Sequence, residues 1–204
     1  MKSTVFVLLL MMAAVSSQAQ IQFGGGAHAG LAFSSFAEPT SELYGVGFGG
    51  GASADLTIMK YLALRLDVDY HSFPSDKEKL KNKFTVTDAL GRPVDFSVAG
   101  ANLSIIDVTL NAVGKLPTKS VVTPYGVIGM GMHFGSGSDF TLVSGGQTLL
   151  TQPVESKSNF GLNFGAGSEF RAGVSKLFIE AQYVLIFAEG GNAGFIPVTV
   201  GVVF

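Results

Sequence analysis

Tyr61-Leu62-Ala63-Leu64-Arg65-Leu66-Asp67-Val68-Asp69-Tyr70-His71 is the stretch that decides the fold. Leu62, Leu64, Leu66, Val68 and Tyr70 share one parity, and Arg65, Asp67, Asp69 and His71 share the other. Successive side chains of a β-strand point to opposite faces, so this stretch builds one apolar face and one ionic face.

The pattern recurs along the chain. It predicts strands over Ile21 to Phe36, Tyr44 to Ile58, Tyr61 to Phe73, Leu103 to Val113, Pro124 to Phe134, Asn159 to Arg171, Leu177 to Phe187 and Phe195 to Phe204. Each is long enough for the ~9–11 residues that a tilted strand needs to cross a bilayer. In the fourth segment the phase slips near Ile105, which is the place to expect a bulge. Connections alternate in length: Met59 to Tyr61, Lys115 to Ser120 and Ala172 to Lys176 are short, and Pro74 to Ala99 and Gly135 to Ser158 are long. Outer-membrane barrels have short periplasmic turns and longer outer loops. Aromatic residues gather at strand ends, with Phe33, Tyr44, Tyr70, Phe134, Phe160, Phe187 and Phe195 on the long-loop side and Phe23, Tyr61, Phe170 and Phe204 on the other, as interfacial girdles do.

Alternation alone also suits a soluble barrel with its apolar face inward. The apolar face here carries four or more large side chains per strand, more than the interior of eight strands holds. The opposite face is mostly Gly, Ser, Thr and Asn, which do fit a narrow interior. Charged residues make up 14% of the chain, against ~25% in soluble domains. The fold class expected is therefore all-β, an eight-stranded antiparallel up-and-down transmembrane barrel with lipid outside and a polar lumen.

Lys2, the apolar run from Val5 to Val15 and the small residues Ser17 and Ala19 describe a signal peptide over residues 1–19, cleaved after Ala19. Residues 20–204 then form one barrel domain, and the expected location is the bacterial outer membrane. With no cysteine there is no disulfide framework. A net charge of −2 argues against nucleic-acid binding.

The chain resembles the small eight-stranded outer-membrane barrels of the OmpA/OmpX type, the outer membrane protein beta-barrel family. The residues that carry the resemblance are the Gln20–Gln22 start, the Ala29-Gly30-Leu31-Ala32-Phe33-Ser34-Ser35-Phe36 strand, Pro124-Tyr125-Gly126-Val127-Ile128-Gly129, Glu180-Ala181-Gln182-Tyr183 and the closing Val198 to Phe204 stretch. It covers essentially all of residues 20–204. It implies that Val200, Val202 and Phe204 belong to a terminal assembly signal read by periplasmic chaperones and the barrel-assembly machinery. It implies no enzymatic activity, no catalytic residue and no cofactor.

Gly45-Val46-Gly47-Phe48-Gly49-Gly50 matches a dinucleotide-binding spacing, with Asp67 and Asp69 downstream. That site needs a helix after the glycines, whereas here the strand pattern continues. Inward glycines leave room in a crowded lumen. Asp55 and Arg65 flank the Met59 to Tyr61 turn symmetrically, so an ion pair between them is expected inside the barrel. Asp67, Asp69, Asp107, Glu169, Arg171 and Glu180 complete the expected lumen network. Its functional version is a narrow, charge-lined pore; otherwise it is a structural plug. His28, His71 and His133 fall on the inward parity as solvated rim histidines. His71 and His133, with Asp69 and Ser136, raise the reading of a lipid-modifying enzyme at the rim.

The favoured function is a structural or surface-interaction role through the loops at 74–99 and 135–158, for a monomer in contact with outer-membrane lipid and lipopolysaccharide. Phe84, Val86, Val94, Phe96 and Val98 around Asp88 to Pro93 read as one raised hairpin, and Phe140 to Val143 with Thr148 to Leu150 as another. The Lys77, Lys79, Lys81 and Lys83 run suits contact with lipopolysaccharide phosphates and, interrupted by Glu78, equally suits a solvated loop.

Overall fold

The alternating stretch around Arg65 forms β3 (Leu62–Phe73), and its neighbours follow the same logic. The computed structural model of the chain describes residues 22–35, 44–83, 95–189 and 191–204. Its other elements are β1 (Gln22–Ser34), β2 (Gly47–Met59), helix α1 (Lys77–Lys83), β4 (Ser97–Gly100), β5 (Leu103–Lys115), β6 (Val122–Gly137), β7 (Phe140–Ser144), β8 (Gln147–Gln152), β9 (Lys157–Ala172), β10 (Ser175–Ala188) and β11 (Gly191–Val203).

Eight strands close in the order β1-β11-β10-β9-β6-β5-β3-β2, every neighbour antiparallel. Closure between β1 and β11 leaves the wall no edge, so its backbone polar groups pair inside it, the condition for crossing lipid. The apolar parity faces outward: Leu66 is 45% exposed, Leu110 53% and Val200 59%. In water such a surface would oppose folding; against hydrocarbon it is the stable one.

The slip at Ile105 has another cause than a bulge. Pairing runs unbroken through Ile105, to His71 on one side and Gly135 on the other. Ile105 points inward because the lumen turns apolar at the long-loop end. There Ala32, Phe73, Ile105, Val184, Ile186 and Phe195 form a buried cluster. Phe195 is 0% exposed, part of this plug rather than of the girdle. The irregularity in the wall lies between Thr57 and Met59 instead.

Beyond the rim the wall continues. Pairing of Leu103 with Gly137 carries on to Gly100 with Phe140, so β4 and β7 prolong the β5–β6 ladder. Gly100 (φ 75°) and Ala101 (φ 60°) kink it. β8 then adds to β7 through a two-residue turn in which Gly145 and Gly146 have φ of 55° and 80°, the backbone of a type I′ hairpin. The result is a three-stranded sheet, β4-β7-β8. Phe96, Val98 and Leu142 bury against Leu80 of α1.

The lysine run is therefore helical rather than a loop. Asp76 caps it, accepting the backbone N–H of Lys79 through its side chain (3.1 Å), and Glu78 sits in the first turn. Lys81 donates to Asp95 (2.6 Å), which holds that exposed carboxyl below its usual range. Such a pair persists at neutral pH and is lost as acid titrates the carboxylate. The expected strand at Phe84 and Val86, with Val94, lies outside the described residues. Val98, expected to face it, pairs with Leu142 of β7.

Candidate functional site

The inward parity stacks the lumen in layers. At mid-barrel is a closed ring of hydrogen bonds. Arg65 donates Nη1 and Nη2 to the two carboxylate oxygens of Glu180 (2.9 and 2.7 Å) and Nε to Asp67 (2.9 Å). Asn111 donates to the same Asp67 oxygen (2.6 Å) and to Thr109 (3.0 Å). Asn163 donates to Asn111 (2.6 Å) and to Gln182 (2.7 Å), and Gln182 donates to Glu180 (2.6 Å), closing the circle. The bidentate Arg–carboxylate fork is the strongest link. β6 lies between β5 and β9 and contributes Gly129 at this level, opposite both Asn111 and Asn163.

Above the ring lie the histidines. His28 contacts Asp69 (2.6 Å), and Asp107 bridges His133 (2.6 Å) and His71 (3.4 Å). These are buried rather than solvated rim histidines: His133 is 1% exposed, and the Phe195 ring packs edge-on against His71 at 4.9 Å. Glycines on β2 make the room for them, since a Cβ at Gly49 would meet His71 and one at Gly51 would meet Asp69. This is the work of the glycine run that mimics a dinucleotide motif. Buried polar atoms of Asp67, His28, His71, His133 and Asn163 without a partner belong to residues lining a cavity of about 30 Å³, which is enough for a water molecule. Among the described residues Nδ1 of His71 and Nε2 of His133 have no hydrogen-bond partner, and no hydroxyl is engaged by either. Among the described residues no cluster has the geometry of a metal site.

Below the ring, Ala63, Val113, Tyr125 and Val127 form a second apolar layer. The short-turn mouth opens beneath it, where Lys115 pairs with Glu169 (2.6 Å) and Lys176 approaches the other Glu169 oxygen (3.8 Å).

The structure thus distributes the expected lumen residues over three places. Arg65, Asp67 and Glu180 meet in the ring; Asp69 and Asp107 hold histidines; Glu169 holds lysines at the mouth. Asp55 and Arg65 are paired residues of β2 and β3, but the expected ion pair between them does not form. The long Arg65 side chain turns to Glu180 across the lumen, and Oδ2 of Asp55 is buried without a hydrogen-bond partner among the described residues. Arg171 is exposed at the mouth and makes no ion pair among the described residues. Asn111, Asn163 and Gln182 close the ring and escaped the sequence reading, although their inward parity marked them as lumen residues. Val200 and Phe204 face outward on and just beyond β11.

Solved structures with the same fold include Neisserial surface protein A (16% identity, TM-score 0.54, covering 89% of this chain and 95% of that one). A major outer membrane protein from Thermus thermophilus is similar too (14%, 0.55, 91% and 98%), as is OprG from Pseudomonas aeruginosa (13%, 0.50, 92% and 98%). No curated protein matches the chain in sequence. Residues 5–204 match the Outer membrane protein beta-barrel domain, and the chain belongs to that family of bacterial outer-membrane barrels.

Proposed function

We propose that the protein is a closed barrel whose work is to hold an interaction surface, the β4-β7-β8 sheet, above the outer membrane. The observation that carries this reading is the outer edge of β8. All of Gln147-Thr148-Leu149-Leu150-Thr151-Gln152 is exposed, none of it is charged, and no described strand pairs with its far side. Soluble proteins blunt such edges with lysine, proline or bulges because a bare edge recruits another strand. β8 has one register shift, at Leu149, but neither lysine nor proline within it. An unpaired, uncharged edge of this kind suits strand addition by an extended, uncharged polypeptide segment. The Arg65 ring and the Phe73–Phe195 plug support a barrel that does not conduct.

In the same reading Lys77, Lys79 and Lys81 of α1 face lipopolysaccharide phosphates, with Lys79 and Lys81 already engaged by Asp76 and Asp95. The outward row Val200, Val202 and Phe204 is the face offered to chaperones and the assembly machinery, after removal of residues 1–19.

The test uses cells displaying the protein and the Leu149→Lys/Leu150→Lys variant. Attachment to protein-coated surfaces, or clumping if a second copy is the partner, is expected to fall on the order of tenfold, the effect of about 1.4 kcal/mol. Barrel folding is checked by heat-modifiable gel migration. Equal attachment by both, with both barrels folded, rejects the edge as the contact. Planar-bilayer recordings are expected to be silent for the unaltered protein and for Arg65→Ala, because the plug remains. Stable unitary steps in the unaltered protein would reinstate the pore.

A further inference from the structure

The lumen is polarised. Its closed part holds one permanent cation, Arg65, among Asp67, Asp69, Asp107 and Glu180. The short-turn mouth has the opposite balance. A cavity of about 520 Å³ opens there, lined among the described residues by Lys60, Lys115, Arg171 and Lys176 and by one carboxylate, Glu169. Asp55 lies in an adjoining recess that Lys115, Lys176 and Glu169 also line, so four cations face two carboxylates. Met59, Tyr61, Leu62 and Leu116 supply its apolar wall. A volume of this size is that of a small-molecule pocket, typically about 300–1,000 Å³ with a few convergent polar groups.

The cations are not all spent on internal pairs. Glu169 engages Lys115 at 2.6 Å and Lys176 only at 3.8 Å. Arg171 makes no ion pair among the described residues, and Lys60 lies over the Tyr61 ring at 5.2 Å. The pocket is blind, because the Tyr125 layer and the Arg65 ring lie above it. An anion drawn to the mouth meets the acidic inner lumen and goes no further. Lysine binds phosphate as a point charge and arginine as a bidentate fork, so this set suits a phosphate group rather than a neutral ligand.

We propose that the short-turn mouth of the barrel is a binding site for a phosphate ester, held by Lys115, Arg171 and Lys176 with its organic part against Tyr61 and Leu116. A soluble sugar or glycerol phosphate and a phospholipid headgroup share this chemistry, and the experiment separates them.

Protein extracted from outer membranes into phosphate-free maltoside micelles is titrated with glycerol 3-phosphate and, separately, with orthophosphate, reading phosphorus NMR line width. A parallel arm mixes phosphatidylglycerol or diacylglycerol into the micelles and counts retained lipid by native mass spectrometry. Binding of glycerol 3-phosphate more tightly than orthophosphate assigns a soluble ester, and retention of phosphatidylglycerol alone assigns a headgroup. Equal binding of glycerol 3-phosphate and orthophosphate overturns the role of Tyr61 and Leu116. In whichever arm binds, Arg171→Gln/Lys176→Gln is expected to weaken binding roughly tenfold or more. Lys79→Gln, on α1 at the other end, should leave it unchanged. Glu169→Gln releases Lys115 and Lys176 and is expected to tighten binding several-fold, a gain that a folding defect cannot imitate. Absence of binding in both arms overturns the site, as does binding that ignores Arg171→Gln/Lys176→Gln and Glu169→Gln.

Discussion

Truncating Glu180 to alanine is expected to destabilise the barrel by about 3–5 kcal/mol, because it strands a buried guanidinium. Arg65 is 7% exposed and spends two of its three ring contacts on Glu180, so only Asp67 remains to hold its charge. Gln182 loses its acceptor at the same time. Urea unfolding in liposomes, followed by tryptophan-free readouts such as gel migration, measures the change. The triple variant Arg65→Met/Asp67→Asn/Glu180→Gln removes every charge of the ring and is expected to recover most of the loss, since uncharged replacements of a buried ion cluster are often neutral or better. A cost below about 1 kcal/mol for Glu180→Ala, the range of a solvated pair, would mean that water screens the ring.

That ring also marks where sequence reasoning stops. The strands are legible because the apolar face meets lipid along its whole length. One slip of parity would place Leu66 or Val68 in the lumen, so the pattern is under strict physical constraint. Observed ends differ from the expected ones by a few residues. Hairpin symmetry likewise gave the correct register for Asp55 opposite Arg65. It could not give the partner. Arg65 reaches Glu180, 115 residues away on a strand that is not its neighbour, and only closure of the barrel brings them together.

Ile105 and Phe195 mislead for a related reason. Near the long-loop end both faces are apolar, one against lipid and one in the plug, and parity loses its contrast. Helix α1 was invisible because Leu80 is the only apolar residue in its seven, too few to show a period; Asp76 and Glu78 were its only signals. The mouth was equally hidden, since its cations come from four separate places in the chain: Lys60 in the first short turn, Lys115 on β5, Arg171 on β9 and Lys176 on β10.

Gly129 tests whether the ring is a single unit. It faces inward on β6, between Asn111 and Asn163, and a Cβ built there overlaps the Asn111 carboxamide and approaches the Leu110 carbonyl oxygen at 2.7 Å. The Asn111 side chain has little freedom to yield, because Asp67 and Thr109 hold its nitrogen and Asn163 holds its oxygen. Gly129→Ala is therefore expected to cost about 2–4 kcal/mol through overpacking and the lost Asn111–Asn163 bond. Gly114→Ala is the matched comparison: nothing lies within 4 Å of its Cβ, and a neutral or slightly favourable change is expected from the stiffer unfolded chain. In an Asn111→Ala background the carboxamide obstruction is gone and only the Leu110 carbonyl contact remains, so Gly129→Ala should cost markedly less. The difference between the two backgrounds is the coupling energy of the ring at this point. If Gly129→Ala costs the same in both, the penalty comes from the β-wall itself, through the Leu110 carbonyl, and the Asn111–Asn163 link contributes nothing to holding the lumen closed.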